Sequence, residues 1–566
     1  MAEHRKLDTL LSISRGSPLS EEPGIGALTL GGFLKEVVAN HGPKEAAVLR
    51  EGDNVERWSY NDLWDRSLEV AKALVACGVG KGTRVGILMT NRLEFLSATF
   101  GAALAGGVTT TLSTFSTSAE LDILLKSSAC SVLLLEKSVL KKDFVTMLGE
   151  LEPNINQVMP GDLRSERYPF LRVLAAVDIN QNAGGIEDWN AFLARGQDTP
   201  TALVEACAAS VMPADPGVLF FSSGSTGKPK GILSAHRGVC LQLWRWRKWY
   251  RFEEGLRSWS ANGFFWSGNF ALGIGGALSA GGSLILQRTF DPEEALELMA
   301  IEKATFLFAW PHQWAQLTGA SNWLDVDLSA LKFIDADSPI AAHPTINTTY
   351  KEPAQAYGNT ETFTLSSVYP ANTPADVTAG SHGIPVEGNI FKITDPITGE
   401  IMPLGQSGEI AVKGPTLMLG YLGVPLDETL DDEGFFHTGD GGYIDEQGRI
   451  FWAGRINDII KTGGANVSPI EIDGVIAKCP GVKVTKTVGI PDELLGEMVV
   501  TCIVPHIGAS LDEAKVRNFA KEVLASYKVP RRVLFMEESD LELTGSAKIK
   551  SSDIIELAKK RLQSEA

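Results

Sequence analysis

The stretch Phe220-Phe221-Ser222-Ser223-Gly224-Ser225-Thr226-Gly227-Lys228-Pro229-Lys230-Gly231 runs an apolar strand into a loop of hydroxyls, glycines and lysines. Glycine lets a backbone bend so that successive N–H groups can point at one anion. Hydroxyls and lysines add donors and positive charge, a combination that suits a polyphosphate. The loop is not a Walker A motif. That motif needs Gly, four residues, then Gly-Lys and Ser or Thr. Here Ser222 stands at the first glycine position and Pro229 follows Lys228. A Gly/Ser surface turn is the bland alternative, and it leaves the preceding strand and the two lysines unexplained.

Four more segments follow in order: Ala356-Tyr357-Gly358-Asn359-Thr360-Glu361, Phe436-His437-Thr438-Gly439-Asp440, Gly454-Arg455-Ile456-Asn457-Asp458 and Thr544-Gly545-Ser546-Ala547-Lys548-Ile549. Together with the loop they resemble, in kind and order, the motifs of the adenylate-forming superfamily. That superfamily comprises acyl-CoA and aryl-CoA synthetases, adenylation domains of non-ribosomal synthetases and beetle luciferases. The resemblance runs from about residue 30 to residue 552 and is closest in type to an acyl-CoA synthetase.

The resemblance implies an ATP- and Mg²⁺-dependent ligase. A carboxylic acid and ATP give acyl-AMP and pyrophosphate, and coenzyme A then takes the acyl group and releases AMP. Phosphate binding falls to Ser222, Ser223, Gly224, Ser225, Thr226, Gly227, Lys228 and Lys230, with Thr226 counted among the catalytic groups. Glu361 is a hard oxygen ligand of the type that phosphate-bound Mg²⁺ takes. Tyr357 is placed against adenine, with Ala356, Gly358, Asn359 and Thr360 beside the nucleotide. Asp440, an acceptor-only carboxylate, can hold two ribose hydroxyls, and Arg455 supplies a second ribose contact. Lys548 bridges the attacking carboxylate and the α-phosphate, a role worth about 3–4 kcal/mol for one preorganised donor. The resemblance also implies that the small domain rotates about Asn457, bringing the loop with Gly463 and Gly464 to the site for coenzyme A.

The chain departs from the family pattern at several points. Asp337, Ser338 and Pro339 stand where the family has Gly-Ala-Pro beside nucleotide and acyl group, and Trp266 stands at the aromatic gate. Asn457 replaces the usual Asp or Lys at the pivot, and Glu542 and Ala547 are atypical in the lysine loop. Phe264, Phe265, Trp266 and Phe270 are expected to wall the acid pocket near Gly358, with Gly273, Gly275 and Gly276 leaving room beyond. This predicts a largely apolar acid, medium-chain or aromatic.

The elements that must position these residues are legible in outline. Ser59 caps a helical run in which Leu63, Trp64, Leu68, Ala71, Leu74 and Val75 share a face, and Gly78 stops it. A strand over Val85–Met89, a small-residue helix from about Arg92 to Ala105 and a strand from Val108 imply a parallel sheet covered by helices. From about Gly380 the texture is short strands punctuated by Gly and Pro, an all-β subdomain. After Arg455 come a helix capped at Ser468-Pro469, strands over Val482–Val488 and Met498–Val504, and a helix from Leu511 to Leu524. The expected architecture is α/β. It has an N-terminal region over residues 1–454, built of α/β subdomains and a β subdomain over about 380–454. A small mobile α+β domain over residues 455–566 follows.

Composition bounds the partners. The chain has 566 residues, Lys plus Arg is 51, Asp plus Glu is 69, and the net charge is −18. Such an acidic chain repels phosphate backbones, so nucleic acid is not an expected partner. In Trp244-Arg245-Trp246-Arg247-Lys248-Trp249-Tyr250-Arg251 the aromatics have helical spacing and are expected to pack, with the charges pointing outward. The six cysteines include no close pair, and no signal or spanning stretch is seen, so a cytoplasmic protein is expected, monomer or homodimer. Two alternatives remain at this point. One is a stand-alone adenylating enzyme that passes the acyl group to the thiol of a separate carrier protein or to an amine. The other is a nucleotide-binding pseudoenzyme or regulator.

Overall fold

The computed structural model describes residues 11–223, 229–353, 355–458, 460–462, 465–492, 495–524, 528–540 and 551–565. The chain forms two compact units, the larger made of Arg15–Ile390 and Lys413–Phe436. It holds an eight-stranded sheet with the spatial order Ile186–Asp188, Val173–Val177, Val132–Glu136, Arg84–Leu88, Val108–Thr111, Pro216–Ser223, Pro229–Ala235, Gly420–Tyr421. Its first six strands run parallel and the last two pair antiparallel. A second sheet has the order Phe306–Phe308, Arg257–Ser260, Ser283–Leu286, Glu45–Glu51, Asn54–Ser59, with only the last strand antiparallel.

Strand periodicity shows where the core sits. Val85, Ile87, Val132 and Leu134 from the first sheet join Ala47, Leu49, Leu284 and Leu286 from the second in one buried cluster. Their alternates, such as Leu133 and Leu174 or Val48 and Ile285, face separate clusters on the outer sides. A period of two gives each strand two faces, and here both are apolar because helices cover both sides. Helix Leu93–Leu104 lies within the central cluster and is buried at every residue but Glu94. Helix Tyr60–Ala76 begins at the expected cap, where Ser59 Oγ accepts from Asp62 N at 3.1 Å and the Asp62 carboxylate accepts from Ser59 N at 2.8 Å.

Helix His236–Tyr250 carries the tryptophan-rich segment. Trp246, Trp249 and Tyr250 pack in the core as expected. Arg245 corrects the expectation that every charge points outward, since its side chain is 0% exposed. Its guanidinium meets Glu22 at 2.8 Å and donates to the Glu387 carbonyl at 2.6 Å. A buried charge persists only where partners replace water, and Glu22 lies 223 residues away along the chain, beyond any local pattern.

The smaller unit comprises the described residues of Met1–Ser14, Phe391–Val412 and His437–Ala566. A five-stranded sheet has the order Ile13–Arg15, Ile390–Thr394, Gly408–Lys413, Phe436–Ile444, Ile450–Arg455. The N-terminal strand at its edge carries no sequence signal of its own. Beyond it, Val482–Asp492 and Gly496–Pro505 form a long antiparallel pair. One face of that pair, with Val499 and Ile503, packs on helices Pro469–Ile476 and Glu513–Lys521. The other face, with Val500, Cys502 and Val504, packs on helix Ser551–Glu565. Ser468 sits at the start of Pro469–Ile476 but makes no side-chain cap; its hydroxyl donates instead to the Ala453 carbonyl.

Candidate active site

Strand Pro216–Ser223 leaves the parallel sheet at its carboxyl end and returns as Pro229–Ala235, with Phe221 opposite Gly231 and Ser222 opposite Lys230. The phosphate-loop sequence therefore lies between two paired strands, the first of which ends at the carboxyl edge of the parallel sheet, where open α/β sheets bind ligands. Gly224, Ser225, Thr226, Gly227 and Lys228 lie outside the described residues, as does the side chain of Ser223. Ser222 is half-buried and Lys230 exposed at the hairpin's foot.

Glu361 lies in a short turn, Thr360–Thr362. The Asn359 side chain fixes that turn by accepting from Thr362 N at 2.9 Å. The strand before it, Tyr357–Asn359, folds closely on Thr364–Val368. At Gly358 a Cβ would lie 1.8 Å from the Thr364 carbonyl oxygen, so only glycine fits. The Tyr421 hydroxyl donates to Glu361 Oε1 at 2.7 Å, and Met418 N donates to the Glu361 carbonyl at 2.7 Å. Lys230 Nζ stands 5.0 Å from the centroid of the same tyrosine ring. The structure thus brings two predicted site residues, Lys230 and Glu361, to opposite features of one side chain that the sequence reading did not single out.

The aromatic segment adjoins this group. Trp266 is half-buried, 5.3 Å from Phe265, and the next residue, Ser267, donates to Thr360 Oγ1 at 3.5 Å. Phe115 is exposed and meets Phe265 edge-on at 5.5 Å. Phe270 departs from expectation, being wholly buried with its ring against Phe220 and Phe363. It is a core residue, not an open wall. The three glycines do not leave an empty space either. A Cβ at Gly275 would lie 2.6 Å from Leu243, and at Gly273 2.8 Å from Asn269. Residues Phe270–Gly276 form a π-helix, and helix His236–Tyr250 occupies the room that small residues were expected to give the acid.

Tyr357 is 5% exposed, and Ala356 is half-buried. Asp337 is exposed and ion-paired with Lys351, Ser338 Oγ has no partner among the described residues, and Pro339 opens the short turn Pro339–Ala342. Nearby, burial and then the charge of Asp335 push the Glu352 carboxyl up to about 7.

In the smaller unit, Asp440 and Arg455 are cross-strand partners, with Arg455 Nε 3.2 Å from Asp440 Oδ1. Asp440 is buried, while the Arg455 side chain is largely exposed. Within strand Phe436–Ile444, Gly439 just before Asp440 has φ +70°, a conformation that favours glycine. Glu409 braces it, accepting from Gly439 N at 2.9 Å and meeting His437 Nδ1 at 3.1 Å. Burial raises the Glu409 carboxyl, and these two partners outweigh that and hold it below its usual range. Asn457 falls in the turn Ile456–Asp458. Gly463 and Gly464, like Lys548, Glu542 and Ala547, lie outside the described residues.

Sequence comparison decides the family. The model of the AMP-binding enzyme family matches residues 34–422, and that of the AMP-binding enzyme C-terminal domain matches residues 471–548. This chain belongs to the AMP-binding enzyme family. Relatives include a methyl-dioxo-octahydroindenyl-propanoyl:CoA ligase of Mycobacterium tuberculosis, 29% identical over 88% of this chain and 92% of its own length. A mitochondrial medium-chain acyl-CoA ligase of Mus musculus is 27% identical over 91% and 86%. Among solved structures, ATP-bound MatB from Rhodopseudomonas palustris superposes with a TM-score of 0.73 at 25% identity, covering 94% of this chain and 99% of its own.

For this member of the AMP-binding family the described residues fit a nucleotide-borne Mg²⁺. They contain no group of three or more His, Cys, Asp or Glu able to hold a metal. Mg²⁺ in phosphate sites takes one or two carboxylates, with phosphates and waters completing its shell. Glu361 has the chemistry for such a role. Its Oε1 is engaged by Tyr421, and among the described residues no donor reaches Oε2. Tyr421 and Glu409 are the residues that sequence reasoning missed. For Tyr421 the available signal was an aromatic in Leu419-Gly420-Tyr421, too short to read as a strand.

Proposed function

We propose that this protein is an ATP-dependent acid–CoA ligase that works through an acyl-AMP intermediate on a large, mainly apolar acid. Membership of the AMP-binding family supports the chemistry. The observation that carries the reading is the meeting of Lys230, at the foot of the phosphate hairpin, with Glu361 at Tyr421. A cation and an acid held apart at one tyrosine, with the cation on the strand that follows a glycine- and hydroxyl-rich sequence, suit a metal-bound triphosphate.

In the first half-reaction an acid oxygen attacks the α-phosphorus and the bond to pyrophosphate breaks. Lys230 and the hairpin loop bind phosphate oxygens, and Glu361 would hold the metal. Mg²⁺, when bound, neutralises phosphate charge as a Lewis acid. Asp440 accepts from the ribose hydroxyls, and Arg455, paired with Asp440, supplies the second ribose contact. Lys548 bridges two anionic reactants that otherwise repel. In the second half-reaction the coenzyme A thiolate attacks the acyl carbonyl and AMP leaves, with Gly463 and Gly464 giving a slender thiol arm passage.

Phe265 packs against Trp266 and the exposed Phe115, and Ser267, next to Trp266, reaches Thr360; this aromatic group is the proposed wall for the acid. Apolar surface buried there supplies affinity at about 25 cal/mol per Å². The two relatives named for a bicyclic propanoyl group and for medium-chain acyl groups support an acid of that size. Among the described residues no helix is long and apolar enough to cross a membrane. All six cysteines are free, which supports a reducing, cytoplasmic setting. The test is ATP–pyrophosphate exchange across fatty, aryl and ring-bearing acids, followed by coenzyme A-dependent AMP release. Exchange with no acid, or acetate as the best substrate by kcat/KM, overturns the reading.

A further inference from the structure

We infer that Tyr421 is a positioning residue which holds Glu361 and Lys230 apart and aims both at the metal–triphosphate. The inference rests on the reading of Glu361 as the Mg²⁺ contact.

Lys230 and Glu361 are opposite charges, and direct pairing would spend each on the other. Tyr421 separates them by using two different features of one side chain. Its hydroxyl donates to Glu361 Oε1, which fixes the carboxylate and, among the described residues, leaves Oε2 without a donor. Its ring face takes Lys230 Nζ at 5.0 Å, within the range where a cation is drawn to an aromatic quadrupole. Among the described residues Lys230 has no carboxylate partner, so its charge stays available to a phosphate.

The backbone makes the placement firm. Gly420–Tyr421 is the edge strand beside the hairpin's returning arm, with Ile232 opposite Tyr421 and Leu233 opposite Gly420. Leu422 N donates to the Gly231 carbonyl at 2.8 Å and Leu419 N to the Leu233 carbonyl at 2.7 Å. Met418 N, on the same segment, donates to the Glu361 carbonyl. Ile232, Met418 and Phe436 pack beneath, with Tyr421 against them. The segment over residues 418–422 therefore clamps the phosphate hairpin to the Glu361 turn, and Tyr421 carries that clamp into the site.

The experiment measures ATP binding by calorimetry as Mg²⁺ is titrated from zero to saturation, without acid or coenzyme A, for wild type, Tyr421→Phe, Tyr421→Leu and Glu361→Gln. Tyr421→Phe keeps the ring and loses the hydroxyl. It is expected to raise the Mg²⁺ concentration for half-maximal ATP binding by about ten-fold, as for a lost hydrogen bond to a charged group, while Mg²⁺-free binding stays at the wild-type level. Tyr421→Leu is expected to weaken Mg²⁺-free binding as well, because Lys230 loses its ring. If that variant does not fold, the Phe variant alone decides. A wild-type Mg²⁺ titration for Tyr421→Phe, beside a shifted one for Glu361→Gln, overturns the role of Tyr421. A wild-type titration for Glu361→Gln overturns the metal reading of Glu361, and the inference with it.

Discussion

On the proposed reading Lys548 and Gly464 serve the two half-reactions separately, one by charge and the other by volume. A cation between two anions helps only while both are present, so Lys548→Ala should cut pyrophosphate exchange by about 10²–10³-fold. It should leave thioester formation from supplied acyl-AMP near wild type. Gly464→Leu should do the reverse, blocking coenzyme A by bulk and sparing exchange. Single-turnover assays of each step decide it, and equal loss of both steps in Lys548→Ala defeats the assignment. As candidates these residues, with Glu361, Asp440 and Arg455, stand out because each sits in a short motif whose residue types suit one task. Tyr421 was not legible. Its position depends on pairing with Ile232, nearly two hundred residues earlier, and a lone aromatic after glycine carries no periodicity. Phe270 shows the converse error: apolar residues in sequence look alike whether they wall a pocket or fill a core, and only Phe220 and Phe363 against its ring tell them apart.

Helix starts divide the same way. Ser59 and Asp62 satisfy one another within four residues, so cap and helix were both readable. Ser468 precedes Pro469 and Glu471 in an equally good pattern, yet its hydroxyl goes to Ala453 on a neighbouring strand. The two serines should therefore answer differently to alanine. Ser59→Ala removes the acceptor of the Asp62 amide, costs about 1 kcal/mol and should speed hydrogen exchange at that amide. Ser468→Ala should leave first-turn exchange in Pro469–Ile476 unchanged and loosen the Ala453 strand. Equal acceleration in both helices would contradict this division. At this scale the alternating sheets and buried crossover helices were legible because local period and burial agree. The edge strand Ile13–Arg15 was not, because three residues cannot show a period and its partners lie near residue 390.

Over the whole molecule, sequence bounded charge and architecture but gave no view of buried titration, which depends on packing from distant segments. In the larger unit His236 is pushed down to about 4 from 6.5, by burial, with Asp215 opposing. Leu30 N donates to its Nδ1 at 3.2 Å, so the native state needs that nitrogen unprotonated. Glu352 is pushed up to about 7 from 4.5 by burial and by Asp335. The signs are opposite. Between pH 4 and 6.5 the unfolded chain holds the His236 proton and the native state does not, so this group adds stability as pH rises and loses it as pH falls. Between pH 4.5 and 7 the native state holds the Glu352 proton and the unfolded chain does not, so this group subtracts stability as pH rises. Each is worth roughly 3 kcal/mol across its window, and they largely cancel in the wild type from pH 4.5 to 6.5. Single substitutions should expose them. Relative to wild type, Glu352→Gln should gain stability as pH rises from 4.5 to 7. His236→Asn, whose carbonyl can still accept from Leu30 N, should lose relative stability as pH rises from 4 to 6.5. Urea-unfolding midpoints of the three proteins between pH 4.5 and 7.5 test both signs at once, and curves that stay parallel across that range would show that neither proton is gained or lost on folding.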